Sequence, residues 1–131
     1  MFYADGILRK SSLIDEIPGI FHGFSTRMGG KSTLSHTASL NLSHDLGDPA
    51  EIVRENLDIF ARTVSDGRYG GDATVTLHQI HSAKVRVLMR ENAGEDGLAV
   101  DMGCNYAAPA DYSVSMGMFV MKRKQLIETI R

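Results

Sequence analysis

Asp48-Pro49-Ala50-Glu51-Ile52-Val53-Arg54-Glu55-Asn56-Leu57-Asp58-Ile59-Phe60-Ala61-Arg62-Thr63-Val64 is the stretch that decides the fold class. Asp48 has the side chain of a helix N-cap, Pro49 suits the first helical position, and Glu51 stands where a capping box places its acid. Val53, Leu57, Phe60 and Val64 follow at spacings of four, three and four, which puts them on one helix face. Arg54, Glu55, Asp58 and Arg62 lie elsewhere on the cylinder and can stay in water. Ser65-Asp66-Gly67 ends the pattern. The spacing predicts a helix over about 49–64, capped by Asp48, with Val53, Leu57 and Phe60 buried.

Upstream, residues 31–48 are rich in Ser, Thr, His and Asn. They read as a long ordered loop, and loops of that length are often functional. Before the loop, Ile20-Phe21-His22-Gly23-Phe24-Ser25-Thr26-Arg27 is short and β-prone, follows the Pro18-Gly19 break, and reads as one strand. Downstream, Tyr69-Gly70-Gly71-Asp72 is a glycine-rich turn. After it, residues 74–79 and 84–89 alternate as strands do, and so do residues 114–120. The tail from Met121 has the pattern of a short amphipathic helix. The order of elements predicts an α+β fold, a mixed β-sheet layered with helices.

The 131 residues suit one domain, or part of a larger one. With 43% hydrophobic and 23% charged residues, the chain is too apolar for disorder and too mixed for a fibre. A formal net charge of −2 gives no basic surplus to drive nucleic-acid binding. No apolar run approaches the roughly 20 residues of a membrane helix, and the first ten residues lack the order of a secretory signal. A single cysteine excludes an internal disulfide framework and a four-cysteine zinc site, and suits a reducing compartment. The expectation is a cytoplasmic domain with neither membrane nor nucleic-acid partner.

Three residues stand out chemically. His81 follows a strand-like run and precedes a loop, where a neutral imidazole is a good zinc ligand; a partly buried, hydrogen-bonded histidine is the plainer reading. His78 is three residues away, on the opposite face of a strand. Arg27 ends a strand beside Gly29-Gly30, close to the Ser25 and Thr26 hydroxyls. A guanidinium there can grip a phosphate or carboxylate, or simply be solvated. Cys104 has no histidine close in sequence and reads as a buried structural thiol, with metal binding as the weaker alternative. Gly29-Gly30 lacks the spacing of a phosphate loop.

His22-Gly23-Phe24-Ser25-Thr26-Arg27, Gly29-Gly30 with Ser32, Ser39-Leu40-Asn41-Leu42, Gly47-Asp48, Val53-Arg54-Glu55-Asn56 and Gln79-Ile80-His81-Ser82 follow one another in order. This series resembles the laccase-domain family, whose members are also called polyphenol oxidases, purine nucleoside phosphorylases and peptidoglycan editing factors. The resemblance covers residues 18–97 and leaves 98–131 as a divergent tail. It implies stacked α and β layers and a zinc site of two histidines and one cysteine. One of those histidines is in the Gln-x-His motif, here His81. It also implies phosphorolysis of adenosine, inosine and methylthioadenosine, with adenosine deamination as a second activity and copper-dependent phenol oxidation as an older reading. Purine nucleoside and phosphate are then the partners, with Arg27 as oxyanion clamp and Ser25 and Asn41 as substrate contacts. Arg27 is expected beside Ser25 or Asn41, facing the same cavity as His81.

The sequence also departs from the family pattern. Ala110-Asp111-Tyr112 stands roughly where Ala-Asp-Cys belongs, so Tyr112 replaces the cysteine ligand, and Cys104 lies eight residues too early. The family's His-Ala-Gly-Trp-Arg motif is missing, and the chain has no Trp. Family members are about twice as long. Residues 1–131 are therefore expected to form a single, partial laccase-like domain with an impaired metal site. The alternatives are a catalytically inactive scaffold or a truncated remnant. An uncovered sheet edge and apolar face point to a homodimer.

Overall fold

The computed structural model describes residues 1–78, 85–87, 90–95, 98–99, 102–104, 113–115 and 119–122. In chain order the elements begin with β1 (Phe2–Asp5), β2 (Leu8–Ser11), α1 (Ser12–Asp15), β3 (Ile20–His22) and β4 (Phe24–Ser25). The long helix α2 (Ala50–Val64) follows. Then come β5 (Leu77–His78), β6 (Val85–Val87), β7 (Leu98–Ala99), β8 (Met102–Cys104), β9 (Ser113–Ser115) and β10 (Phe119–Lys122). The fold is α+β. The chain forms two compact units, one of residues 1–12 and 23–72, the other of residues 13–22 and 73–131.

The first unit starts with a hairpin that the sequence reading did not contain. β1 and β2 run antiparallel from Phe2 opposite Ser11 to Asp5 opposite Leu8, around a two-residue turn at Gly6-Ile7. Asp5-Gly6 was its signal, since glycine readily takes the backbone twist that two-residue hairpin turns need. β4 then pairs with β2, Leu8 opposite Ser25 and Arg9 opposite Phe24. Alternation along β2 turns Leu8 inward, where it is only 2% exposed. It packs beside Gly23 and Val64 at the end of α2. Val53, Leu40 and Val64 complete the buried apolar residues of this unit.

Helix α2 bears out the central expectation and corrects its details. Val53 is buried as predicted, but Leu57 and Phe60 are only half-buried. Asn56, three residues after Val53 on the same face, is fully buried instead. The cap is also different. Pro49 occupies the N-cap position at φ −55°, ψ 140°, and no side chain caps the helix. A residue before proline is pushed towards extended backbone, and the carboxylate of Asp48 turns to the amide of Asn41 rather than to the helix N–H groups. At the other end the N–H of Ser65 donates to the carbonyl of Ala61, and the buried Ser65 hydroxyl donates to the same oxygen.

The 20–27 run is not one strand. It divides at Gly23: β3 belongs to the second unit and β4 to the first. In the second unit, β3 and β9 flank β10, both antiparallel, with Phe119 opposite His22 and Val120 opposite Ser115. The predicted 114–120 strand is thus two strands that pair with each other. β5 pairs in parallel with β7, and β6 with β8, so that Cys104 stands opposite Val87. Most of the tail predicted to be helical, from 123 onward, lies outside the described residues, while Met121 and Lys122 are in β10. Among the described residues, no helix is long and apolar enough to cross a membrane.

Leu8 gives the sharpest test of the first unit's core. Leu8→Ala is expected to destabilise the chain by about 2–5 kcal/mol in urea unfolding, as for a fully buried leucine whose site collapses incompletely. A loss below about 1 kcal/mol would show that Leu8 is not in the core.

Candidate functional site

The loop of residues 27–48 carries most of the residues singled out by motif, and it is held onto α2 by one amide. The Nδ2 of Asn56 donates to Ser32 Oγ (2.9 Å), to the carbonyl of Asn41 (2.8 Å) and, more weakly, to the carbonyl of Ser39 (3.4 Å). Its Oδ1 accepts the N–H of Lys31 at 2.7 Å. Asn56 is 0% exposed, so each of these bonds satisfies a group that water does not reach. Around it, the N–H of Ser32 donates to the carbonyl of Ser39 (2.9 Å), and the N–H of Gly30 donates to Ser39 Oγ (3.1 Å). A Cβ on Gly30 would stand 2.2 Å from the Ser39 carbonyl oxygen and 2.6 Å from Asn56 Oδ1. Only glycine lets the two stretches of loop approach this closely.

A second buried cluster closes the far end of the loop. Asn41 Nδ2 donates to Asp48 Oδ2 at 2.7 Å and to the carbonyl of Ser43 at 3.0 Å, while its Oδ1 accepts the N–H of Ser43 at 2.9 Å. Both amide protons of Asn41 therefore have acceptors within the loop, and Asn41 is itself buried. Burial works against the charge of Asp48. Hydrogen bonds from Asn41, Thr37 and Ser32, together with the nearby His36, outweigh it, and the carboxyl titrates below its usual value of 3.8. His36 in turn donates from Nε2 to the carbonyl of Leu46 at 2.9 Å.

Arg27 is held at two atoms. Its carbonyl accepts the N–H groups of Ser39 (2.7 Å) and Leu40 (2.9 Å), and its Nε donates to the carbonyl of Ala38 at 3.0 Å. The side chain is exposed, and among the described residues its Nη1 and Nη2 have no partner. Thr26 is occupied otherwise: both its N–H and its hydroxyl donate to the carbonyl of Ile7 in the hairpin turn. Ser25 is half-buried in β4, two residues before Arg27. The same loop thus carries Arg27 and Asn41, Arg27 as an exposed guanidinium and Asn41 as a structural tie.

Beyond the loop, Asp58 Oδ1 accepts the N–H of Gly71 (2.8 Å) and its Oδ2 accepts Arg62 Nε (2.8 Å). These bonds hold the carboxyl of Asp58 below its usual value, the Gly71 bond first and Arg62 second, and they raise Arg62. This corner fixes the glycine-rich turn after α2. His81 and Tyr112 lie outside the described residues, and so does the predicted shared cavity with Arg27. Of Cys104 the structure places the backbone, in β8. Among the described residues, no three His, Cys, Asp or Glu side chains gather as a metal ion would require.

Asn56 and its partners Ser32 and Ser39 hold the loop to α2, and sequence reasoning left them without a role. A signal was present. Asn56 lies three residues after Val53 and four before Phe60, so it interrupts an apolar stripe with a polar group that must find partners when buried.

An α+β chain whose ordered loop is locked to a helix by a buried asparagine is the class that the fold and the site define. The sequence profile of the multi-copper polyphenol oxidoreductase laccase family matches residues 21–110, and the chain belongs to that family. The match reaches Ala110, past residue 97, where the resemblance was expected to end. No curated protein matches the chain.

The depressed carboxyls make acid stability a test of this geometry. In the unfolded chain Asp48 and Asp58 protonate near the ordinary aspartate value, about pH 4, and in the folded chain they do so lower. Their stabilisation is complete above the unfolded value and is lost as pH falls through the folded values. The urea midpoint of the chain should therefore drop below about pH 4. Asp48→Asn should be less stable than the parent at pH 7, with a gap that narrows in acid. A pH-independent gap would remove the assigned role of the Asp48 charge.

Proposed function

We propose that the chain carries out a slow, phosphate-dependent cleavage of purine nucleosides, adenosine foremost, with Arg27 as the phosphate clamp. One observation carries this reading: an exposed guanidinium whose Nε is anchored on the Ala38 carbonyl while Nη1 and Nη2 stay unbonded among the described residues. Such a fork matches two phosphate oxygens, and the anchor fixes its plane before the anion arrives. A phosphate so held attacks the ribose carbon. The bond from that carbon to the base nitrogen breaks, and the purine leaves with its electron pair and takes up a proton. Ser25, two residues away, offers a hydroxyl to the substrate. Asn41 acts through the loop that it ties, since its amide protons already have acceptors.

His81 is proposed as a zinc ligand on the strength of the family resemblance, with Cys104 as a weaker candidate. A zinc ion held there would supply an activated water for the deamination reaction. With Tyr112 where the family has cysteine, the 131-residue chain is expected to hold the metal weakly, because tyrosine is protonated at neutral pH. A second copy donating Cys104 or His78 across a two-fold axis is the way such a site is completed in a homodimer. Copper, after which the family is named, is the metal to test beside zinc.

The test is to measure zinc and copper per purified chain and adenine release from adenosine with and without phosphate. Substoichiometric metal and slow, phosphate-dependent release are expected, with Arg27→Gln lowering the rate by about tenfold or more, the worth of a charge-assisted contact. Phosphate-dependent release that Arg27→Gln leaves intact would remove the clamp. No release in any condition would leave an inactive scaffold. Stoichiometric zinc lost in His81→Ala would show a complete metal site.

A further inference from the structure

We propose that Asn56 and Ser39 are positioning residues that set the Arg27 guanidinium for an oxyanion; this rests on the reading of Arg27 as a phosphate clamp. The path is short and continuous. Asn56 projects from the middle of α2, the longest rigid element of its unit, and is wholly buried. Its amide fixes the two sides of the loop at Lys31 and Ser32 on one side, and Ser39 and Asn41 on the other. The stretch that it fixes is the one that holds Arg27: Ser39 and Leu40 donate their N–H groups to the Arg27 carbonyl, and Ala38 accepts from the guanidinium Nε. The Ser39 hydroxyl adds a lateral tie, accepting from the Gly30 N–H at 3.1 Å and donating to the Arg27 carbonyl at 3.4 Å.

The physical reason for such an arrangement is entropic. A free arginine side chain loses rotamer freedom when it grips an anion, and that loss offsets much of the charge-assisted gain. An arginine held beforehand at its backbone and at Nε has already lost that freedom on folding, so more of the contact is left as affinity. Asparagine suits the hub because one amide both donates and accepts. Aspartate has nearly the same shape but can accept only, so it keeps the Lys31 bond, loses those to the Ser39 and Asn41 carbonyls, and can hold Ser32 only by drawing its hydroxyl proton away from Asp48.

The experiment uses the full 131-residue chain and inorganic phosphate as probe. Phosphate affinity is followed by NMR titration, and exchange of the Arg27 Nε proton with water is measured on the same samples. Arg27→Gln comes first and tests the clamp alone: unchanged phosphate affinity there overturns the clamp reading, and with it this proposal. If Arg27→Gln does weaken binding, Asn56→Asp is expected to weaken it by about fivefold or more in a chain still folded by its amide spectrum, and to speed Nε proton exchange. Loss of stability with unchanged phosphate affinity and unchanged exchange would make Asn56 a purely structural residue and overturn the proposal. Should Asn56→Asp fail to fold, Ser39→Ala decides. It leaves all bonds of Asn56 in place and removes only the hydroxyl ties, and it is expected to weaken phosphate binding and speed exchange to a smaller degree. A folded Ser39→Ala with the parent's affinity and exchange overturns the proposal.

Discussion

The buried amide of Asn56 is the constraint on which the first unit depends. The loop of residues 27–48 contains no strand and no α-helix, only the short 3₁₀ turn His44–Leu46, so it cannot satisfy its own backbone in the regular way. Its polar groups are nevertheless partly buried, and each unpaired one would cost free energy of the order of a lost hydrogen bond, about 1–3 kcal/mol. Asn56 resolves this by bringing donor and acceptor together on a helix that is itself anchored by Val53 and Val64. Helix packing and loop order are therefore one problem: the face that buries Val53 also delivers the amide.

The same logic explains why Asp48 does not cap its helix. An N-cap side chain satisfies one or two of the helix's open N–H groups, and at the surface water can do the same. The Asn41 amide and the Thr37 and Ser32 hydroxyls are buried beside Asp48 and have no such substitute. A carboxylate that accepts from several of them at once is the stronger arrangement. Asp58, two residues beyond Asn56 on the helix, makes a corresponding choice, accepting from Gly71 and Arg62 and so tying the turn that follows the helix.

Seen in the folded chain, the family motifs divide by task. Gly30, Ser32, Ser39, Asn41, Asp48 and Asn56 belong to connected hydrogen-bonded clusters and build the scaffold. Thr26 ties the scaffold to the hairpin. Arg27, Arg54 and Glu55 are the motif residues that keep a charged group exposed, and of these Arg27 is the one whose side chain is anchored on the loop, through Nε, with Nη1 and Nη2 unbonded among the described residues. A motif series can thus mark a family with high specificity while most of its residues serve shape, and the chemistry rests on the few that the scaffold leaves exposed.

What the sequence determined by itself is local. The 3.6-residue periodicity of Val53 to Val64 and the proline before it place helix α2 to within a residue or so, and the run of Ser, Thr, His and Asn marks the ordered loop, because both properties belong to contiguous residues. The ordered motifs also carried the family. The partners were decided only in the tertiary structure. Residues 20–27 look like one strand, yet β3 and β4 find their neighbours in different sheets, and strand pairing depends on segments distant in the chain. Asp48 has the sequence of a cap and the environment of a buried acceptor. Asn56 looks like one polar residue on a helix until Lys31, Ser32, Ser39 and Asn41 are brought around it, from 15 to 25 positions away. Periodicity reports which face a side chain takes; which groups wait there to be hydrogen-bonded is set by the whole chain.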